Sequence, residues 1–269
     1  TTTVRGAVAG HDDAGEGIDR FDGQEAENIE GSLPDVFVHP EGRDMGVILE
    51  DITRDFLQHQ KLSWGRSTFS ISDANIDDML RRLKALPPAT YGKQAEEKWD
   101  LLYLPQSIEQ KVDGVNRSIN AKFIDFENPE NNEFLCTNQF KVSGVNQNII
   151  PDILCFVNGL PLAVIECKSP YITNPMEAGI DQLLRYANRR TPENDEGAER
   201  LFHYNSMMVS THRDKARVGT ITSRMEHYLE WKDPYPLTVE QVGAEEASQD
   251  VLLAGLFSKT NFLDVYQNF

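Results

Sequence analysis

The feature that most constrains this chain is the nineteen-residue stretch 150–168, Ile-Pro-Asp-Ile-Leu-Cys-Phe-Val-Asn-Gly-Leu-Pro-Leu-Ala-Val-Ile-Glu-Cys-Lys. Two short β-prone runs, 152–157 and 162–167, flank Asn158 and Gly159. A run this apolar belongs in a sheet covered on both faces. Yet it opens on Asp152 and closes on Glu166 and Lys168. Charged groups rarely stand in a buried strand without partners.

Strand geometry limits how these charges can meet. Residues two apart share a face, so Glu166 and Lys168 point the same way. A three-residue loop at Asn158-Gly159-Leu160 pairs Val157 with Pro161 and sets Asp152 opposite Glu166. A two-residue Asn158-Gly159 turn pairs Asp152 with Ile165 and sends Glu166 to the other face. A shared site therefore needs an odd loop or a β-bulge.

Two carboxylates brought together repel unless a cation lies between them. Oxygen ligands with open water positions suit Mg²⁺ or Mn²⁺. Such an ion lowers the pKa of bound water and offsets charge developing at phosphorus. Lys168 is a point charge able to hold a water or a phosphate oxygen. The same three residues can equally form a structural ion pair near a strand end.

The rest of the chain supplies the setting. The net charge of -17 argues against a protein that coats DNA non-specifically. That charge is uneven. Residues 1–33 hold eight acids against Arg5 and Arg20, with little apolar periodicity, and read as a poorly ordered acidic arm. Residues 139–190 hold four acids and five bases, so if nucleic acid is met anywhere along the chain, this near-neutral stretch is the place.

Helical spacing marks 44–60, with Val47, Ile48, Ile52 and Phe56 apolar, and a second helix from Ser72 and Asp73 through Leu83. Leu86-Pro87-Pro88 stops it. Residues 128–132 (NPENN) read as a turn. Strands are expected over 134–142, 152–157 and 162–167. Asn174-Pro175-Met176-Glu177 opens a helix running to Arg190, with Asn174 as N-cap. Residues 201–211 read as a strand and 239–257 as a helix. The six His lack zinc-site spacing. Cys136, Cys155 and Cys167 read as buried small hydrophobes, and Trp64, Trp99 and Trp231 as core anchors. No signal peptide or membrane span is visible, and three separated Cys imply reduced thiols in the cytoplasm.

Pro151-Asp152…Glu166-Cys167-Lys168 resembles the PD-(D/E)xK nuclease motif. With Asn138-Gln139-Phe140, the words Phe156 to Leu162 and Ile165 to Pro170 resemble the N-terminal nuclease domain of the restriction (R) subunit of type I restriction-modification enzymes. Gln182-Leu-Leu-Arg-Tyr186 matches the Gln-xxx-Tyr motif that follows the metal site in this family. Leu201 to Asn205 and the closing Asn261 to Phe269 also fit, so the resemblance covers about 101–269.

The resemblance implies an α/β fold with a restriction-endonuclease-like core, a central mixed sheet flanked by helices and a helical N-terminal extension. The domains expected are the arm 1–33, a helical region 34–100 and the nuclease 101–269. Asp152 and Glu166 would bind Mg²⁺ (or Mn²⁺), and Lys168 would be the catalytic lysine. Gln182 and Tyr186, one turn apart, would support the site and contact DNA. Glu50 is a candidate extra carboxylate that no spacing fixes. The expected activity is Mg-dependent endonuclease cleavage of DNA alongside specificity (S) and methyltransferase (M) subunits. No GxxxxGK[ST] loop is present, so ATP would act only through motor domains outside this chain. The alternatives are another PD-(D/E)xK nuclease, of repair or mobile-element type, and a non-catalytic docking domain on a nuclease fold.

Overall fold

The computed structural model describes residues 46–85, 91–144, 146–189, 196–243 and 247–268. The acidic arm 1–33 and the stop at Leu86-Pro87-Pro88 lie outside the described residues.

Helix α1 (Glu50–His59) leads into a hairpin of β1 (Lys61–Trp64) and β2 (Ser67–Ser70), then α2 (Asp73–Lys84). The buried face of α1 differs from the one the spacing suggests: Leu49, Thr53 and Leu57 are buried, while Ile52 and Phe56 are half-buried. Thr53 turns inward because its Oγ1 donates to the Asn158 carbonyl at 2.8 Å. On α2 the expected stripe of Ile76, Met79, Leu80 and Leu83 is fully buried. Helix α3 (Tyr91–Tyr103) carries Lys98, whose buried ammonium donates to the carbonyls of Arg82, Leu83 and Ala85 and so caps the C-terminus of α2.

A second hairpin, β3 (Gln106–Val112) and β4 (Val115–Ala121), turns on Asp113 and Gly114. Both have positive φ (51° and 84°), as a two-residue primed turn requires.

The main sheet contains β5 (Phe134–Asn138), β6 (Ile153–Val157), β7 (Leu160–Cys167), β8 (Met207–His212) and β9 (Lys215–Thr220), in that spatial order. All neighbours are antiparallel except β7 and β8, which run parallel. That parallel step needs a crossover, supplied by α4 (Pro175–Tyr186) packed on both strands. Every residue of β7 is buried, as befits the central strand. The fold is thus α/β, with a mixed five-stranded sheet flanked by helices.

Several expectations shift. Asn174 adopts a left-handed conformation (φ 50°) and its side chain makes no cap bond, so α4 starts on Pro175 alone. Residues 201–211 divide into the end of the short helix α5 (Glu199–Phe202) and β8. The helix expected over 239–257 is broken by Gly243 (φ 73°) into α6 (Val239–Val242) and α7 (Ser248–Gly255), followed by α8 (Lys259–Asn268). Trp64 is 44% exposed, with Arg117 over its ring at 5.3 Å, so it anchors no core. Cys155 and Cys167 are buried as expected, whereas Cys136 is exposed.

Candidate active site

The register of β6 on β7 decides whether the charges meet. The turn is the two-residue one: Val157 pairs with Leu160, and Asn158 and Gly159 have φ of 51° and 80°. Alone, it would put Asp152 opposite Ile165. The register then shifts, because Phe156 pairs with Pro161 but Cys155 pairs with Ala163, leaving Leu162 as an extra residue. Ile153 thus faces Ile165, and continuing that register by one step sets Asp152 opposite Glu166. The bulge was one of the two devices a shared site required. Its cause is visible in Pro161, which has no N–H to give the ladder and is tolerated in a strand where pairing is interrupted. The displaced Leu162 carbonyl accepts from the Ser206 N–H at 3.1 Å.

The side chains converge at the end of β7. Asp152 Oδ2 accepts the Cys167 N–H at 2.7 Å. The Lys168 Nζ donates to Glu166 Oε1 at 2.7 Å and to Gln182 Oε1. Gln182 Nε2 donates to the Tyr186 hydroxyl at 2.6 Å. The five residues singled out from sequence therefore form one connected group. The two Lys168 bonds leave a third ammonium proton uncommitted by them.

Burial sets the electrostatics. Glu166 is 2% exposed, and its carboxyl is pushed up to about 7, first by burial and then by the nearby Asp152 charge. Lys168 opposes that rise without cancelling it. The Cys167 thiol is pushed up to about 12 by burial and by both carboxylates, so it stays protonated. Burial, and then Glu166, raises the Tyr186 phenol, which remains a neutral hydroxyl.

Glu166 Oε2 is buried and has no hydrogen-bond partner among the described residues. An orphaned carboxylate oxygen beside a second carboxylate is costly. A hard divalent cation would satisfy both, so the donor set fits Mg²⁺ or Mn²⁺. Among the described residues no third His, Cys, Asp or Glu completes a protein-only cage. Remaining coordination positions would fall to water or phosphate oxygens. Glu50 is no part of this group. It pairs with Lys84 at 2.7 Å, and its helix starts beside Gly159, whose carbonyl accepts the Leu49 N–H. Along β7 that is the opposite end of the strand, roughly 20 Å away.

Lys168 also depends on a glycine that sequence reasoning passed over. A Cβ on Gly179 of α4 would lie 2.2 Å from Ser210 Oγ and 3.3 Å from Lys168 Cγ. Ser210 is fully buried and donates to the Met176 carbonyl at 3.0 Å, so its hydroxyl has nowhere to go. We expect Gly179→Ala to cost a net ~1–2 kcal/mol, overpacking outweighing the gain in helix propensity. Ser210→Ala in the same chain should recover part of it. Urea midpoints of the single and double variants measure this, and an unshifted Gly179→Ala midpoint contradicts it.

The description "Type I restriction enzyme R protein N terminus" matches residues 46–227. A Haemophilus influenzae protein named "Type I restriction enzyme HindI endonuclease subunit" is 37% identical over 128 residues, 47% of this chain and 11% of that protein. A Methanocaldococcus jannaschii protein named "Putative type I restriction enzyme MjaIXP endonuclease subunit" is 28% identical over 188 residues, 64% of this chain and 17% of that protein. The chain thus spans 11% and 17% of the length of these two relatives.

Proposed function

This chain belongs to the family of type I restriction enzyme R protein N termini, and on that premise we propose that it is a metal-dependent nuclease module hydrolysing DNA phosphodiester bonds. The observation that carries the reading is the Leu162 bulge, which sets Asp152 opposite the half-satisfied, buried Glu166.

Asp152 and Glu166 would hold Mg²⁺ or Mn²⁺ through Oδ1 and Oε2, the oxygens left over from the bonds to Cys167 and Lys168. When bound, such an ion supplies charge neutralisation at the phosphate and a more acidic water. Lys168 offers its remaining proton to the attacking water or to a non-bridging phosphate oxygen, stabilising charge as it develops. Gln182 fixes the lysine's direction, and the Tyr186 hydroxyl fixes the amide. Burial around Glu166 strengthens each of these contacts.

DNA, together with S and M subunits and an ATP-driven motor elsewhere in the R protein, completes the proposed setting. The near balance of charge over 139–190 supports a module delivered to DNA by others over an avid free binder.

Calorimetric titration of Mn²⁺ and Mg²⁺ tests the site. Weak binding is expected for the parent chain and none for Asp152→Ala or Glu166→Ala. Binding that survives both substitutions would place the metal elsewhere and remove the proposal's basis.

A further inference from the structure

Cys136 on β5 and Cys155 on β6 are direct cross-strand partners, and their sulfurs lie 3.1 Å apart. Hydrogen bonding shows which kind of pair this is. The Asn158 N–H donates to the Glu133 carbonyl and the Gln139 N–H to the Asp152 carbonyl. Those two positions, in the same register three steps to either side, are hydrogen-bonded sites. Because the two kinds alternate, Cys136 and Cys155 occupy a non-hydrogen-bonded site, where side chains approach closest. The Cα spacing of such a site, about 4.5 Å, falls inside the disulfide range.

The two thiols differ in access. β5 is an edge strand, and Cys136 is exposed while Cys155 is buried. The contact between the two thiols also holds that of Cys136 below its ordinary range and, with burial second, raises that of Cys155. Cys167 has no such partner: it lies on β7, facing Thr211 of β8.

We propose that Cys136 and Cys155 form an oxidation site, a reversible intramolecular disulfide made by hydrogen peroxide or an organic hydroperoxide. The Cys136 thiolate attacks a peroxide oxygen, the O–O bond breaks, and a sulfenic acid forms with release of water or alcohol. The Cys155 sulfur then attacks the Cys136 sulfur, the S–O bond breaks, and water leaves with the Cys155 proton. Each peroxide takes two electrons from one dithiol. A thiol such as glutathione reverses the change, which suits a reducing compartment. The product would tie the edge strand to the strand that begins beside Asp152.

The test treats the full-length protein with dilute hydrogen peroxide, quenches it and maps the peptides by mass spectrometry. A Cys136–Cys155 linked peptide is expected, about 2 Da lighter than the pair of reduced peptides and restored by dithiothreitol. It should form at least about tenfold faster in native protein than in urea, because the fold holds the sulfurs together. Cys155→Ser should leave a Cys136 sulfenic acid that dimedone traps, and Cys136→Ser should give no linked product. Linkage only between molecules, equal rates in native and unfolded protein, or peroxidation of Cys136 to sulfinic acid with Cys155 still reduced would each overturn the proposal.

Discussion

Glu166→Gln is expected to lower DNA cleavage by the assembled R-containing complex about 10³-fold while making the domain more stable at pH 8. Losing one of the two carboxylates proposed to hold the metal would remove about 4 kcal/mol of transition-state stabilisation. The gain in stability follows from linkage. Glu166 titrates near 7 in the fold against an ordinary value of 4.5. The folded state therefore holds this proton more tightly than the unfolded chain between those two values. Its contribution is most favourable below pH 4.5, falls as pH rises, and is least favourable above pH 7. Across that window the change amounts to about 3 kcal/mol. Gln keeps an acceptor for Lys168 and carries no charge, so it escapes the penalty. Urea melts at pH 5 and pH 8 measure the difference, with the variant's advantage confined to the higher pH. Saturating Mn²⁺ should close the gap by stabilising only the parent. If the variant is no more stable than the parent at pH 8, the buried charge is not the burden described.

Asn158→Ala is expected to cost about 3–5 kcal/mol, although it lies at the far end of the strands from the carboxylates. Asn158 is fully buried. Its Nδ2 donates to the Phe123 carbonyl at 2.9 Å and to Asn132 Oδ1 at 2.8 Å, and its Oδ1 accepts the Glu133 N–H at 2.8 Å. Ala would strip the Phe123 carbonyl and the Glu133 N–H of this partner, leave Asn132 Oδ1 only the Asp125 N–H, and would also have to hold φ near 51°. Asn158→Gly separates the two costs, since Gly relieves the backbone but not the missing bonds. It should be about 1 kcal/mol less damaging than Ala in chemical denaturation. Equal losses would mean that the backbone conformation carries no share. Next in the chain, a Cβ on Gly159 would lie 2.4 Å from the Leu49 carbonyl, so this turn also clamps the start of α1.

Much of the site could be read from the chain. The apolar runs ending in Asp152, Glu166 and Lys168 identify the buried hairpin, and strand periodicity shows that its parts meet only if one residue is out of phase. The residue responsible could not be chosen between a longer loop and a bulge, though Pro161 carried the signal. Gln182 and Tyr186 share a helix face by spacing, but their link to Lys168 depends on how closely α4 approaches β8. Gly179 sets that approach, and nothing local marks it. The hairpin at Asp113-Gly114 carries its signal in the turn residues alone, because the strands beside it are polar and only half-buried. The buried face of α1 departs from its apolar spacing because Thr53 is inward for a hydrogen bond to a residue 105 positions away.

The Leu162 bulge makes the hairpin behave like a parity check on chain length. Five steps separate Asp152 from Val157 and six separate Leu160 from Glu166, with the odd step absorbed at the bulge. Removing the bulged Leu162 would straighten the ladder and leave Asp152 opposite Glu166, whereas removing one residue from β6 between Asp152 and the turn would set Asp152 opposite Ile165. Removing one residue from each strand with the bulge retained would keep the facing pair intact. A single-residue deletion from β6 should therefore be lethal to the site even where the sheet still folds, while loss of the bulged residue alone should keep the two carboxylates facing.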